Sequence, residues 1–166
     1  IIFRRYYDNL RIREEILSQT DSVWMFSYYY PNGIAKQLKT KIKDREQGKS
    51  ISYYENGNIK STGIVNGFQF VGLWTWYYDN GVIQKQIDFD SLGGLNGKYV
   101  EYYNNGKIKT DAHFNQKALD KDFKEYDEEG KITQLIKYPA QSSFYNFSIG
   151  RSGPDKIQLI IKKNEK

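Results

Sequence analysis

Cysteine is absent from this chain, histidine and methionine occur once each, and proline occurs three times in 166 residues. Without cysteine there is no disulfide framework, no thiolate metal site and no cysteine nucleophile. A single imidazole, His113, excludes any site built from two or more. No run of about 18 apolar residues occurs, so the sequence offers no transmembrane helix. The chain opens Ile-Ile-Phe-Arg-Arg, with neither an initiator methionine nor a charged-then-apolar leader. A removed signal peptide and a truncated chain both fit that start, which leaves cytoplasmic and exported locations open. Charge of one sign is also scarce. The net charge is +5, from 25 basic and 20 acidic residues, and a nucleic-acid binder usually concentrates charge in one patch. The densest basic stretch, Lys36 to Lys49, is interrupted by Asp44 and Glu46. It reads as a solvated face before it reads as an anion-binding patch, and no nucleic-acid partner is expected.

Tyrosine and glycine are plentiful and periodic. Tyr29-Tyr30-Pro31-Asn32-Gly33 is followed by Tyr53-Tyr54-Glu55-Asn56-Gly57, Tyr77-Tyr78-Asp79-Asn80-Gly81 and Tyr102-Tyr103-Asn104-Asn105-Gly106. A worn fifth copy reads Tyr126-Asp127-Glu128-Glu129-Gly130, and Tyr6-Tyr7-Asp8-Asn9 forms a sixth with Leu10 where the glycine would stand. The glycines at 33, 57, 81, 106 and 130 are separated by steps of 24, 24, 25 and 24. So regular a period marks a repeat architecture. Two residues after each glycine stand Ala35, Ile59, Ile83, Ile108 and Ile132; a second glycine precedes the first by nine at Gly48, Gly72 and Gly97.

Each unit reads as a β-hairpin, because Asn-Gly between aromatic or β-branched runs tolerates the positive φ of a tight turn. A two-residue loop would set the second tyrosine opposite the isoleucine. A three-residue loop with glycine in the left-handed region sets the first tyrosine there, and this is the preferred reading. The first tyrosine recurs in all five glycine-bearing copies, and the second becomes Asp127 in the last. The outgoing strands alternate, with Ile83, Lys85, Ile87 and Phe89 against Gln84, Gln86 and Asp88. Period-2 alternation implies a sheet with one better-buried face. On this reading the first tyrosines and the isoleucines form a packed structural ladder. The opposite face, with Phe26, Tyr28, Tyr30, Tyr54, Trp74, Trp76, Tyr78, Tyr99 and Tyr103, is partly exposed. The expected fold is all-β: an elongated single-layer antiparallel sheet of tandem β-hairpin repeats with a C-terminal capping hairpin.

The pattern Tyr-Tyr-x-Asn-Gly-x-Ile resembles the MORN repeat variant, best in Trp74 to Gly81 and Tyr99 to Gly106. The resemblance covers about residues 22–138. The variant is found in bacterial proteins, many named as YwqK-family antitoxins. It implies a protein-interaction or membrane-lipid-binding scaffold without catalytic residues, cofactor or metal. Around this array, residues 1–21 hold the worn copy and then Arg11 to Gln19, readable as a strand or a short helix. Residues 139–166 hold Phe144, Tyr145, Phe147 and Ile149, a turn signal from Gly150 to Asp155, then Ile157, Leu159, Ile160 and Ile161. That segment reads as a hairpin covering the open edge of the sheet, or as an edge that pairs with a partner.

Candidate chemistry is thin. His113 falls on the polar side of an outgoing strand with no serine or acid positioned to form a triad. Asp120, Asp122, Asp127, Glu128 and Glu129 lack both a glycosidase cleft and calcium-loop spacing. Gly93-Gly94 with Gly97 lacks the Lys-Ser/Thr of a phosphate loop and reads as a flexible link. Trp and Tyr dominate binding hot spots, so Trp74, Trp76, Tyr78, Tyr99 and Tyr103 are the candidate partner-binding residues; the other reading is that these rings fill the sheet's own packing. The expected partner is another protein, with a toxin as the form suggested by the resemblance. A membrane-lipid surface and a carbohydrate are the alternatives, and the oligomeric state is left open.

Overall fold

The Asn-Gly turn sets the geometry of every unit. In the computed structural model, which describes residues 2–43, 45–139, 145–151 and 157–164 (the side chains of Ile2 and Arg151 excepted), each turn closes by two backbone bonds. The N–H of Tyr54 donates to Asn58 O at 2.8 Å and that of Gly57 to Tyr54 O at 3.0 Å. The same pair of bonds recurs at Tyr30, Tyr78, Tyr103 and Asp127. The loop is therefore three residues long, with its glycine in the left-handed region, as at Gly57 with φ 91°. The worn first copy makes the same turn, with Leu10 forced to φ 62° in the glycine's place. Asparagine adds a local brace: Asn56 Oδ1 accepts the N–H of Asn58 at 2.9 Å, and Asn9, Asn32, Asn80 and Asn105 do likewise.

These turns join strands β1 (Ile2–Tyr6), β2 (Ile12–Thr20), β3 (Val23–Tyr29), β4 (Ala35–Ile42), β5 (Arg45–Tyr53), β6 (Ile59–Asn66), β7 (Gln69–Tyr77), β8 (Ile83–Phe89), β9 (Leu95–Tyr102), β10 (Ile108–Asn115), β11 (Ala118–Leu119), β12 (Phe123–Tyr126) and β13 (Ile132–Ile136). They form one antiparallel sheet of 13 strands in chain order, with short β11 set beside β10 ahead of β12. Arg11 to Gln19, ambiguous in sequence, falls largely within β2. The first tyrosine of each unit faces the residue two after the turn position: Tyr53 opposite Ile59, Tyr77 opposite Ile83, Tyr102 opposite Ile108 and Tyr126 opposite Ile132. This is the register that a three-residue loop dictates.

Neighbouring units are tied by the second tyrosine. The hydroxyls of Tyr7, Tyr30, Tyr54, Tyr78 and Tyr103 donate to the backbone carbonyls of Tyr29, Tyr53, Tyr77, Tyr102 and Tyr126, at 2.7 to 2.9 Å. Each bond spans one unit, about 10 Å or two strand spacings. Asp127 replaces the second tyrosine in the last unit. Among the described residues strand β13 ends the sheet there, and none of them forms a further unit beyond it to receive a hydroxyl.

One expectation is reversed. The isoleucine row is the more exposed one, with Ile59 at 40%, Ile108 at 42% and Ile132 at 46%, whereas Trp74 and Trp76 are 3% exposed and Tyr99 1%. The cause is a bulge just past each isoleucine. Tyr77 pairs with Ile83 but Trp76 pairs with Lys85, leaving Gln84 as the extra residue. A bulge shifts the phase of a strand by one and moves the rest of that strand to the other face. Ile87 and Phe89 therefore stand opposite Trp74 and Gly72, on the tryptophan side, while Ile83 stays with Tyr77.

The second reason is the terminal hairpin, β14 (Tyr145–Arg151) and β15 (Ile157–Lys163), which pair only with each other among the described residues. It was expected at the edge of the sheet; it lies instead on the tryptophan face. Phe147 contacts Phe114 and Phe123 at ring-centroid distances of 5.4 and 6.0 Å. Lys85 Nζ donates to Ile157 O at 2.6 Å. The sheet is thus a single layer only where the hairpin does not reach. Phe144 and the proposed turn at 152–155 lie outside the described residues.

Replacing Tyr30 or Tyr103 by phenylalanine is expected to cost about 1 kcal/mol each in urea denaturation, the net value of one hydrogen bond. The two sites share no partner, so the double variant should lose the sum to within about 0.5 kcal/mol.

Candidate binding surface

Residues paired directly across strands share a face, and the register carries one row across nearly the whole sheet. It runs Tyr28, Gln37, Ser52, Ser61, Trp76, Lys85, Glu101, Thr110 and Glu125. Trp24 and Phe26 alternate with Tyr28 on β3 and belong to the same side. All the aromatic candidates on this side are thus placed together, but in two different environments.

In the C-terminal half they are core. Trp74 stacks on Phe70 at 3.9 Å and on Trp76 at 5.6 Å, and its Nε1–H donates to Ile64 O at 2.7 Å. Its ring lies against Gly63, where a Cβ would come within 2.2 Å of it, so only glycine fits. Trp76 is equally buried, and among the described residues its Nε1–H has no acceptor. Tyr99 is enclosed under β15, and its hydroxyl donates to Glu101 Oε1 at 2.5 Å. Burial, then the neighbouring Glu101 charge, push its phenol far above the usual tyrosine range. The expectation of an accessible aromatic face is therefore corrected at Trp74, Trp76 and Tyr99. Tyr78 and Tyr103 are half-buried and hold their unit-to-unit bonds. Burial raises the pKa of both phenols, opposed at Tyr78 by a hydrogen bond from Gln84.

In the N-terminal half the same side is open. Phe3, Trp24, Phe26 and Tyr28 stand outside the cluster on which the hairpin packs, Phe3 being 44% exposed and the others half-buried. Lys41 Nζ sits 4.7 Å over the Phe26 ring, and Lys39 pairs with Glu46 at 2.8 Å. Three of the six basic residues of this stretch, Lys36, Lys39 and Lys41, are thus engaged on their own sheet. Lys36, Lys60 and Lys109, one residue past the isoleucine position, lie over the rings of Tyr30, Tyr54 and Tyr103. The sequence places Phe26 and Tyr28 on a partly exposed face but points to the rings of the central repeats as the binding set, because nothing local tells the covered rings from the uncovered ones.

The other singled-out residues serve the fold. His113 Nδ1 lies 2.7 Å from Asp120 Oδ1 on the surface. Asp122 holds Lys137 at 2.8 Å and accepts the N–H of Tyr138, and these two bonds keep its carboxyl below the usual range. Asp127 Oδ1 accepts the N–H of Lys131. Gly93 and Gly94 close a tight turn braced by Asp90 rather than a flexible link. Beneath β15, Lys85 bridges Glu101 at 2.7 Å and the Ile157 carbonyl. Glu125 stands beside this network across Thr110, and burial raises its pKa, opposed by Lys109 and reinforced by Glu101.

A carboxyl whose pKa is raised by folding holds its proton more tightly in the native state, so its contribution to stability declines as pH rises through that window. Glu125→Gln should therefore gain thermal stability relative to the parent as pH rises from about 4, the ordinary glutamate range. Paired melting curves across that range check it; a constant difference would show that Glu125 is not under strain.

The repeat pattern also has relatives. The sequence model of the MORN repeat variant matches residues 46–65, 70–91, 95–116 and 119–138, which together make up half of the chain. No curated protein matches it. Repeats of this family are generally binding and scaffold modules. The turn geometry of the matched segments is shared by the units at Tyr7 and Tyr30, upstream of them. With the same turn repeated from unit to unit and half its length matched, the chain belongs to the MORN repeat variant family.

Proposed function

We propose that the protein is a non-enzymatic scaffold that binds another protein through the open N-terminal half of its aromatic face. The observation that carries this reading is the unequal cover of one continuous face. Trp74, Trp76, Phe89, Tyr99, Phe114 and Phe123 belong to the buried cluster against which the hairpin packs, while Phe3, Trp24, Phe26 and Tyr28 remain outside it. Large rigid aromatic side chains make contact area at low entropic cost. The binding role thus moves from Trp74, Trp76 and Tyr99, whose removal would collapse the core, to Trp24, Phe26 and Tyr28. The finer form, an antitoxin or immunity protein that occludes a toxin, rests on the resemblance alone. A toxin encoded in a neighbouring reading frame would be its partner.

Trp24→Ala combined with Phe26→Ala should lose a partner captured by the parent protein from its native cell extract, while keeping the β-type circular dichroism spectrum. A partner that stays bound would place the contact on another surface.

A second reading, a membrane-lipid surface, is favoured by Arg13, Lys36, Lys60 and Lys109, which occupy the same position in four units along the tyrosine edge. Such a module should bind anionic vesicles at low salt and release them as salt rises. Absence of binding at low salt removes this reading. The carbohydrate alternative loses its support, since it required access to Trp74 and Trp76.

A further inference from the structure

A strand edge needs a partner or a guard. Strand β1 is guarded by Arg4 and Arg5, both paired with glutamates of β2. Strand β14 has neither device. It reads Tyr-Asn-Phe-Ser-Ile-Gly-Arg, with no proline and no charge before its last residue, and among the described residues it pairs on one side only, with β15. Two cavities, of about 350 and about 460 Å³, adjoin along it and meet at Phe147 and Lys117. The floor of the first includes Leu92, Gly93 and Leu95; that of the second includes Ala118 and Leu119. Lys117 lines both and is the one charged side chain among their lining residues. Its position is built. Gln116 and Lys117 turn tightly at φ 49° and 69°, and the Lys117 stem lies over Gly94, where a Cβ would come within 2.5 Å of its Cε and 2.7 Å of Asp90 Oδ2. The Asp90 carboxylate, whose Oδ1 accepts the N–H groups of Leu92 and Gly94, thus stands beside the lysine stem on the sheet side of the groove.

We propose that this groove takes an extended peptide segment of another protein, which adds to the free edge of β14 as a third strand and places an acidic side chain over Lys117 between two apolar ones. This deepens the protein-binding reading and rests on it, on a surface separate from Trp24 and Phe26. Strand addition draws affinity from main-chain bonds and specificity from alternate side chains. Residues two apart on a strand lie about 6.7 Å from one another, so positions i, i+2 and i+4 span about 13 Å. That is the length of β14 from Tyr145 to Ile149, the part that lines the two cavities. An apolar residue falls over Leu92 and Leu95, the acid over Lys117, and a second apolar residue over Leu119. The edge supplies backbone donors and acceptors, so the segment must be extended, with no proline where its N–H faces that edge.

The test uses the full chain and a fluorescein-labelled peptide, Thr-Val-Thr-Glu-Thr-Val-Thr, read by anisotropy. The parent protein should bind it, and Lys117→Glu, an exposed change checked by circular dichroism, should weaken binding about tenfold. The same variant should gain on a peptide with lysine in place of glutamate. Of two peptides N-methylated at the glutamate and at the threonine after it, one should bind and the other should not, because only alternate N–H groups face the edge of β14. Hydrogen exchange should show alternate β14 amides open in the free protein and protected with the peptide. No binding at millimolar peptide, equal binding by Lys117→Glu, or β14 amides already slow without peptide would each overturn the proposal. Trp24→Ala with Phe26→Ala should leave peptide binding unchanged, which separates failure here from failure of the scaffold reading.

Discussion

Everything in the sheet is indexed to the bond between one unit's second tyrosine hydroxyl and the next unit's first tyrosine carbonyl. That bond is available only if the turn between the two strands has three residues, because the loop length fixes which tyrosine faces the isoleucine and which one reaches outward to the neighbouring unit. The glycine at φ near 90° and the asparagine brace hold the loop at that length. Five such bonds at one-unit intervals make a row that no slipped register could satisfy, so stability and register are specified by the same groups. The last unit, where Asp127 stands in place of the tyrosine, is where the row has nothing left to reach.

The bulge past each isoleucine has the larger consequence for function. Without it, the alternation of the outgoing strands would collect Ile83, Ile87 and Phe89 on one face. With it, Ile87 and Phe89 join Trp74 and Gly72. One side of the sheet then carries the tryptophans, the strand phenylalanines and Tyr99, the first tyrosines staying with the isoleucines on the other, and a single hairpin of 14 strand residues covers only part of that ring-rich side. The covered part gains a polar anchor in Lys85, Glu101 and Tyr99, whose bonds end on the hairpin backbone or on one another. The uncovered part keeps cations over its rings, which shields some aromatic area from water without removing it from reach.

Much of this was legible in the residues, and the rest failed for definite reasons. The turn at Tyr54 to Asn58 is a local event, so Asn56-Gly57 announces it. The loop length came from comparing which tyrosine survives in the worn copy. The burial of Trp74 and Trp76 could not be reached in that way, because it depends on an extra residue, Gln84, that looks like any other polar position, and on a hairpin far along the chain. Lys85 and Ile157 are 72 residues apart. A signal was present: Phe147, Ile149, Leu159 and Ile161 are apolar at alternate positions and must lie on something, and the ring-rich side was the surface available. The open edge of β13 drew the expectation instead, since edge cover and face cover ask for the same apolar residues.

By itself the sequence determined the unit, its length, its turn and its stacking order, because those rest on interactions within about two dozen residues that repeat until they are unmistakable. The tertiary structure alone decided which face is core, where that core ends and which aromatic rings remain for a partner. Those outcomes depend on the accumulated phase of every strand and on where one distant hairpin comes to rest, and neither is written at any single position.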